Sequence, residues 1–463
     1  MRGEEALRNF SYSFRIRIRH LSFSVICLLA VFYCCSALHC AEDNSAAQPG
    51  IAEFIRQLGN ENFDTRESAM AGIQKLGEET VPALRVALEN TQDLEIRGRL
   101  KHLIDLWPLG GIVWTSDAGV FFGLPVVVGK RVFVTNKDSN VYCLDADNGA
   151  EIWSLSTEDL MYHSIAVCDG RVFVIRTRKE GRKDGTLFCL SASDGKIQWK
   201  YKFDPDSQTF TAPICTPEQL FISCDDTLYC MNPADGAVEW RFQAPSTFLS
   251  APSVSAAAGM VLIGCLDQKL YCVDCKTGKK IWEFQTEGSV YAGAAISEGR
   301  AYLGSHDHYL YSLDLTDGTL LWRFQTGGCI TGAPAVASGK VFTGSDDGSF
   351  YCLDAKEGKR LWQFQTAGNV FTSPACCDGK VFVSSLSTKL TLYCLDAEDG
   401  KVNWTFETKE GGYACPVLAG RRLFVGYHSK FYCVRTGLKG PENWPMLGGN
   451  AARTGCYERG EGK

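Results

Sequence analysis

Residues 311–326 read Tyr-Ser-Leu-Asp-Leu-Thr-Asp-Gly-Thr-Leu-Leu-Trp-Arg-Phe-Gln-Thr, and residues 351–366 read Tyr-Cys-Leu-Asp-Ala-Lys-Glu-Gly-Lys-Arg-Leu-Trp-Gln-Phe-Gln-Thr. Both stretches lie in a longer segment, Ala301 to Thr366, which holds two consecutive copies of one pattern. Its tryptophan recurs at intervals of 39 to 46 residues, as Trp114, Trp153, Trp199, Trp240, Trp282, Trp322, Trp362 and Trp404. Such a period indicates a repeat architecture, in which each copy folds as one structural unit.

One copy of the pattern predicts four short strands, Val290 to Ile296, Arg300 to Gly304, Leu310 to Asp314 and Leu320 to Thr326. The loops between them have hairpin lengths, so the sheet is antiparallel. Small residues in the first strand and aromatic residues in the last suit a blade that narrows toward a central axis. The strand around Trp114 completes the last copy, and we therefore predict a mainly β fold, an eight-bladed β-propeller over residues 110–436.

Glycine and cysteine recur with the tryptophan. A glycine stands four residues before each of the seven tryptophans from Trp153 to Trp404, where a tight turn requires positive φ. A cysteine occupies one further position in seven copies, at Cys143, Cys189, Cys230, Cys272, Cys352, Cys394 and Cys433, and Ser312 takes the eighth. Without the four cysteines of the leader, the 21 cysteines leave an odd number, so we interpret the recurring thiols as buried packing groups rather than disulfides.

This pattern resembles the tryptophan-docking repeat of the pyrroloquinoline quinone (PQQ) propeller superfamily, Ala-x-Asp-x-x-Thr-Gly-x-x-x-Trp. Cys143, Asp145, Gly149 and Trp153 fill its positions, with Cys143 in place of alanine and Asn148 in place of threonine. The chain is also similar to the propeller lipoprotein of bacterial outer-membrane protein assembly. That resemblance implies a scaffold that offers strands and loops to protein partners.

The enzymatic members of the superfamily imply an alternative function, a PQQ-dependent quinoprotein oxidoreductase. In these enzymes PQQ lies on the propeller axis with calcium, beneath a vicinal disulfide that precedes an innermost strand. Here the adjacent Cys376 and Cys377 come at the far end of such a strand, and the long loops that carry calcium ligands are missing. We therefore expect no catalytic residue, no cofactor and no metal.

Three segments flank the propeller. Residues 1–41 contain arginines followed by an apolar run at 21–38, which predicts a signal peptide or signal anchor. No small residue directly precedes Cys35 or Cys40, so we expect export rather than lipidation. Residues 437–463 form a tail with a Trp-Pro-Met segment.

Residues 47–108 have helical periodicity and resemble a HEAT-like segment. Four helices are predicted, at Ile51 to Leu58, Thr65 to Leu76, Pro82 to Leu88 and Leu94 to Trp107. Asp64 is the predicted N-cap of the second helix and Gly77 its C-terminal stop. This segment either shields the propeller edge or offers a partner surface.

Residues that break the repeat are the candidates for function. When the innermost strands are aligned on their usual proline, one position holds Phe122, Tyr162, Phe210, Leu249, Tyr291, Thr331, Phe371 and Tyr413, mostly aromatic side chains. We call this set the collar. It can contact a ligand or peptide at the channel mouth, or pack between blades.

A long hairpin in blade 2 carries Arg176, Arg178, Lys179, Arg182 and Lys183, and it is either a contact for an acidic partner or lipid or a solvated insertion. His306-Asp307-His308 offers two imidazoles without a metal-binding spacing. The net charge of −6 argues against nucleic acid. The sequence thus predicts a non-catalytic, monomeric scaffold, exported to the periplasm or cell envelope, that binds envelope proteins or a ligand.

Overall fold

The computed structural model describes residues 49–77, 80–117, 124–136, 140–157, 165–176, 185–204, 207, 209–408, 415–427 and 430–438. These residues belong to two compact units, one that ends at Trp107 and one that begins at Pro108. The predicted leader and the Trp-Pro-Met segment lie outside the described residues. In the described part of the chain, no helix is long and apolar enough to cross a membrane.

The first unit contains the four predicted helices, α1 (Pro49–Gln57), α2 (Phe63–Leu76), α3 (Val81–Asn90) and α4 (Leu94–Asp105). Leu58, Ile73, Leu84, Leu100 and Leu103 form its buried core. The predicted cap of α2 was wrong. Asn62 accepts the hydrogen bond from the Thr65 amide, because its extended backbone turns the side chain toward the first helical turn, and Asp64 lies inside that turn. Gly77 ends the helix with φ of 82°, as predicted.

The second unit is an eight-bladed β-propeller of four-stranded antiparallel blades, which confirms the predicted fold. The chain enters with β1 (Ile112–Ser116). Blade 1 has β2 (Val126–Val128), β3 (Arg131–Thr135), β4 (Asn140–Asp145) and β5 (Glu151–Ser156). Blade 2 has β6 (Ala166–Cys168), β7 (Arg171–Arg176), β8 (Thr186–Ser191) and β9 (Ile197–Lys202). Blade 3 has β10 (Ile214–Cys215), β11 (Leu220–Cys224), β12 (Thr227–Met231) and β13 (Val238–Gln243).

The remaining blades follow the same order. Blade 4 has β14 (Ser253–Ser255), β15 (Met260–Gly264), β16 (Lys269–Asp274) and β17 (Lys280–Gln285). Blade 5 has β18 (Ala295–Ser297), β19 (Arg300–Gly304), β20 (Tyr309–Asp314) and β21 (Leu320–Gln325). Blade 6 has β22 (Ala335–Ala337), β23 (Lys340–Gly344), β24 (Ser349–Asp354) and β25 (Arg360–Gln365). Blade 7 has β26 (Ala375–Cys377), β27 (Lys380–Leu386), β28 (Leu390–Asp396) and β29 (Val402–Glu407).

Blade 8 closes the ring with strands from both ends of the propeller. Its inner strands are β30 (Val417–Ala419), β31 (Arg422–Tyr427) and β32 (Lys430–Arg435), and β1 pairs with β32 as the outermost strand. Trp114 lies opposite Cys433 in this pairing. The predicted closure by an N-terminal strand is therefore confirmed.

The innermost strands are shorter than predicted. In blade 5 only Ala295–Ser297 pairs with β19, whereas Val290 to Ile296 was expected. The small residues before β18 instead pack against the neighbouring blade, since a Cβ on Gly293 would lie 2.9 Å from the Ala251 carbonyl oxygen. Close approach between blades near the axis thus replaces part of the sheet ladder.

Each tryptophan joins its blade to the next one. In every blade the indole Nε1 donates a hydrogen bond of 2.9–3.3 Å to a carbonyl oxygen of the following blade, as Trp282 does to Leu315. The repeated glycine lies on the preceding blade's indole, and a Cβ on Gly318 would come 2.6 Å from Trp282. Gly318 has φ of 75°, so both the turn and the contact require glycine.

The recurring cysteines are buried packing residues of the blades. Each faces its blade's tryptophan across the two outer strands, as Cys352 faces Trp362, and all seven are buried. Burial raises the pKa of the Cys352 thiol to about 12, so this thiol is protonated at neutral pH. These positions are packing positions, as the sequence predicted.

Candidate functional site

The meander gives every blade two different ends. We call the end that carries the Asp-Gly turns, such as Asp317-Gly318, the turn face. The opposite end is the loop face. It is formed by the loop between the second and third strands of each blade and by the link, the segment that runs from the fourth strand to the next blade. The described part of the loop face belongs to blades 3 to 7.

Aspartates fix the loops of the loop face. Asp307, between β19 and β20, accepts hydrogen bonds from the Tyr311 hydroxyl at 2.7 Å and from the Glu287 amide at 2.8 Å. Asp347 makes the same two kinds of contact in blade 6, with a tyrosine hydroxyl at 2.6 Å and an inter-blade amide at 2.7 Å. Burial alone would raise the pKa of Asp347, but these hydrogen bonds leave it lowered. The loops are therefore held in fixed positions before any partner binds.

Glycines allow the links to approach these loops closely. A Cβ on Gly288 would lie 2.4 Å from the Asp307 nitrogen, and one on Gly328 would lie 2.7 Å from the Asp347 nitrogen. Within the segment that links blades 5 and 6, the Thr326 hydroxyl donates a hydrogen bond to the Gly328 carbonyl at 2.7 Å. The motif Gln-Thr-x-Gly in blades 4 to 6 thus builds the loop face.

Four collar residues occupy equivalent places on this face. Leu249, Tyr291, Thr331 and Phe371 are each partly exposed, and both sequence neighbours of each are buried. Single exposed side chains between buried neighbours point away from the packed interior. The collar therefore places these four side chains at the surface of the loop face in blades 4 to 7.

The other residues predicted as ligand or partner contacts are not placed on the loop face in this way. Phe210 is 3% exposed and packs edge-on against Phe203 with 5.0 Å between ring centroids, so it serves the packing alternative. Arg176 donates to the Thr186 hydroxyl at 3.0 Å and anchors the base of the blade-2 hairpin. Seven predicted contacts lie outside the described residues: Phe122, Tyr162, Tyr413, Arg178, Lys179, Arg182 and Lys183.

The structure brings two collar residues together through a histidine. The His306 ring stacks on Tyr291 with 4.0 Å between centroids and an interplanar angle of 19°. Its Nε2 lies 3.3 Å from the Thr331 hydroxyl of the next blade. Asp346 occupies in blade 6 the place of His306 in blade 5. We call Tyr291, His306, Thr331 and Asp346 the His306 cluster.

Burial controls the charges of this cluster. Burial, and secondarily the nearby His308, lower the pKa of His306, so its imidazole is neutral at neutral pH. Burial raises the pKa of Asp346, against a smaller opposing effect of the Thr331 hydroxyl. Asp346 Oδ1 is buried and has no hydrogen-bond donor in the part of the chain that the structure describes.

From the sequence, His306 stands out only as a possible metal ligand, and Asp346 does not stand out. A signal was present, because the aspartates at 267, 307 and 347 recur, while the residue before each one changes from Leu266 to His306 to Asp346. Among the described residues, no group of three His, Cys, Asp or Glu side chains is arranged to hold a metal ion.

Cys376 and Cys377 do not fit the vicinal disulfide that the PQQ enzymes imply. Both lie within β26, where successive side chains point to opposite faces of the sheet. Cys376 is a free thiol packed against blade 6, and Cys377 packs toward blade 8. The pair therefore cannot cover a cofactor as a disulfide in this structure.

A cavity of about 530 Å³ lies on the turn face at the closing seam between blades 7 and 8. Its lining includes Leu109, Lys380, Trp404 and Leu438. Leu109 and Trp404 also belong to the core that closes the ring. This cavity is therefore a feature of ring closure, distant from the loop face.

Two protein-family models match the chain. The family described as "Beta-alanine-activating enzyme, beta-propeller" matches residues 219–456, and the family described as "Outer membrane protein assembly factor BamB" matches residues 102–217. The second match, with the fold, confirms the PQQ-like repeat predicted from the tryptophans.

Curated relatives are similar over short stretches. Beta-alanine-activating enzyme of Drosophila melanogaster is 24% identical over 183 residues, which are 36% of this chain and 17% of that protein. 1-Butanol dehydrogenase (cytochrome c) of Thauera butanivorans is 31% identical over 104 residues, 19% of this chain and 14% of that protein. The chain thus spans less than a fifth of the length of either relative.

The crystal structure of BamB from Moraxella catarrhalis shares the fold. It superposes with a TM-score of 0.59 at 15% identity, over 70% of this chain and 99% of that one. The first family model covers slightly more than half of the 463 residues. The chain therefore belongs to the family described as "Beta-alanine-activating enzyme, beta-propeller".

Proposed function

We propose that this protein is a non-catalytic scaffold of the cell envelope that binds partner proteins through the loop face of its propeller. The observation that carries the proposal is the collar of blades 4 to 7, where Leu249, Tyr291, Thr331 and Phe371 are partly exposed between buried neighbours. Pre-formed loops with a few exposed apolar and polar side chains are typical of protein-binding surfaces. The tryptophans, glycines and cysteines of the repeat, in contrast, are used in packing.

Two comparisons support this role. The BamB structure is similar to this propeller over nearly the whole BamB chain. The family model that matches residues 102–217 is described as an outer membrane protein assembly factor. The arginine-rich leader with its apolar run supports export to the envelope. An envelope location and protein partners are therefore proposed together.

Photo-crosslinking tests the scaffold role. A photoreactive phenylalanine analogue at Phe371, on the loop face, is expected to capture a specific envelope protein in the cells that produce this chain. The same analogue at Lys356, which is exposed on the turn face, is the matched control. Equal capture at both positions, or none at Phe371, would contradict the proposal.

A PQQ-dependent oxidoreductase is the second candidate, because the Thauera dehydrogenase is 31% identical over 104 residues. The divergent directions of Cys376 and Cys377 disfavour it. Reconstitution with PQQ and calcium, followed by an assay of alcohol-dependent dye reduction, separates the two functions. Cofactor retention with turnover would replace the scaffold role, and we expect neither.

A further inference from the structure

Two cysteines outside the recurring set meet at the seam between blades 2 and 3. Cys168 is the last residue of β6 and Cys215 is the last residue of β10, the innermost strands of these two blades. Both belong to the core that packs blade 2 against blade 3. The Cys168 thiol donates a hydrogen bond to the Thr216 carbonyl at 3.3 Å, which places its sulfur beside the end of β10.

The alternation of side chains along the two strands explains why these thiols meet. The residues that precede them face away from the seam, since Val167 packs with blade 1 and Ile214 packs with blade 4. Successive side chains of a strand point to opposite faces, so Cys168 faces blade 3 and Cys215 faces blade 2. Each thiol is therefore directed toward the other.

Among the described inner strands, the equivalent places in the other seams hold at most one cysteine. Ala337 and Cys376 occupy them between blades 6 and 7, and Cys377 and Leu418 occupy them between blades 7 and 8. The seam between blades 2 and 3 combines a cysteine from each side. Ring packing elsewhere does not require this combination, so the pair departs from the repeat.

The contact between the two thiols favours the reactive form of Cys168. A hydrogen bond with the Cys215 thiol lowers the pKa of the Cys168 thiol, although burial opposes this effect. In the same core, burial raises the pKa of the packing thiol Cys189 to about 12. Since a thiolate rather than a thiol attacks a disulfide, Cys168 is more reactive than Cys189.

Cys168 is also the more accessible member of the pair. It is 8% exposed, whereas Cys215 is fully buried. The exposed Asp169-Gly170 turn follows Cys168 directly, and β6 has only three residues, so a small local opening exposes the Cys168 sulfur. An oxidant therefore reaches Cys168 first, and Cys215 is placed to react with the modified sulfur.

We propose that Cys168 and Cys215 are a redox-active pair, which forms a disulfide between blades 2 and 3 when a low-molecular-weight disulfide oxidises the protein. The Cys168 thiolate attacks one sulfur of the oxidant and releases one thiol. The Cys215 thiolate then attacks the Cys168 sulfur and releases the second thiol. The protein loses two electrons and two protons, and the oxidant is reduced to two thiols. This inference goes beyond the scaffold role and does not depend on it.

Peptide mass spectrometry tests the disulfide in the full chain. The reduced protein is equilibrated under native conditions with defined ratios of reduced and oxidised glutathione, and its remaining thiols are then blocked with N-ethylmaleimide. We expect two peptides joined through Cys168 and Cys215, with the link localised by fragmentation. Their yield should rise with the fraction of oxidised glutathione and fall when dithiothreitol is added.

Three alanine variants provide the matched comparison. C168A and C215A each remove one thiol and should lose the linked peptides. C376A is the control, because Cys376 occupies in blade 7 the strand position of Cys215 but packs near Ala337, and it should keep the link. Oxidation should raise the melting temperature of the wild type and of C376A by at least about 3 °C, since a cross-link restricts the unfolded chain, and should leave that of C168A and C215A unchanged.

The mapping of the wild type decides the inference even if a variant does not fold. Absence of the link between Cys168 and Cys215 at every glutathione ratio would overturn it. Joining of Cys168 to a different cysteine, or a link that forms in denaturant but not in the native protein, would overturn it as well. Loss of the link in C376A to the same extent as in C215A would also contradict the assignment.

Discussion

Gly318 and Gly299 show how a single residue type serves two purposes in one blade. Both have positive φ, 75° and 72° respectively. A Cβ on Gly318 would lie 2.6 Å from Trp282, whereas a Cβ on Gly299 would meet no atom within 4 Å. The first glycine therefore permits a turn and an inter-blade contact, and the second permits a turn alone.

Alanine substitutions at these glycines separate the two effects. We expect G299A to lower the free energy of unfolding by about 1–2 kcal/mol, the cost of a left-handed alanine. G318A adds a clash with the indole and should lower it by roughly 1–3 kcal/mol more. Urea denaturation measures both values. Equal losses would show that the indole shifts without strain.

The lowered pKa of His306 predicts a stability change with pH. The unfolded histidine titrates near about 6.5, and the folded one titrates below that value. The unfolded state therefore binds more protons in this range, and stability is lost as the pH falls from about 6.5 through the folded pKa.

H306Q should reduce the dependence of the urea midpoint on pH between about pH 7 and pH 5. H102Q, which removes an exposed histidine of α4, is the control. A pH dependence in H306Q as steep as in the wild type would contradict the assignment of this loss to His306.

At the scale of elements, the pair of strands β19 and β20 is the exception within the repeat. Its facing residues are Tyr302 and Ser312, where blade 6 has Phe342 and Cys352. The Tyr302 hydroxyl donates to the Ala355 carbonyl at 3.1 Å, the acceptor that Trp322 also uses. Blade 5 thus gains an extra hydrogen bond to blade 6. The Ser312 hydroxyl is buried and has no hydrogen-bond partner among the described residues.

Exchanging serine and cysteine at this position tests the packing interpretation. S312C should raise the free energy of unfolding by about 1 kcal/mol, because a buried unsatisfied hydroxyl is removed. The reverse change in blade 6, C352S, should lower it by a similar amount. Chemical denaturation measures both variants. Destabilisation by S312C, or no effect of C352S, would contradict this interpretation.

At the scale of the whole propeller, stability depends on strands from both ends of the unit. β1 supplies the outer strand of blade 8, and Trp114 on β1 donates to the Ala146 carbonyl of blade 1 at 3.0 Å. Removal of β1 leaves β32 as an exposed edge, which favours aggregation. Closure therefore connects blade 8 to both of its neighbours.

Two truncated chains test the contribution of closure. A chain that begins at Pro108 keeps β1 and should unfold cooperatively as a propeller. A chain that begins at Asp117 lacks β1 and should lose at least about 3–5 kcal/mol, the value for truncating one large core side chain such as Trp114. Thermal unfolding and size-exclusion chromatography compare the two. Equal melting temperatures would show that β1 is dispensable.

The sequence by itself determined the repeat, the number of blades and the closing strand. Each blade carries the same short-range pattern of Trp, Gly and Cys, and periodicity reports such local preferences directly. The four helices were likewise predictable, although the cap at Asn62 depended on one backbone conformation. The likeness of these helices to HEAT repeats and the roles of the leader and tail remain predictions.

Only the tertiary structure decided which irregular residues meet. Tyr291 and Thr331 share one repeat position and His306 and Asp346 share another. The repeat relates these positions along the chain, but it does not show that the Tyr291, His306 and Thr331 side chains contact one another across two blades. The same is true of Phe210, which shares the collar alignment but is buried by Phe203. Contacts of this kind follow from how closely neighbouring blades approach in the closed ring, a distance that the spacing of residues along the chain does not encode.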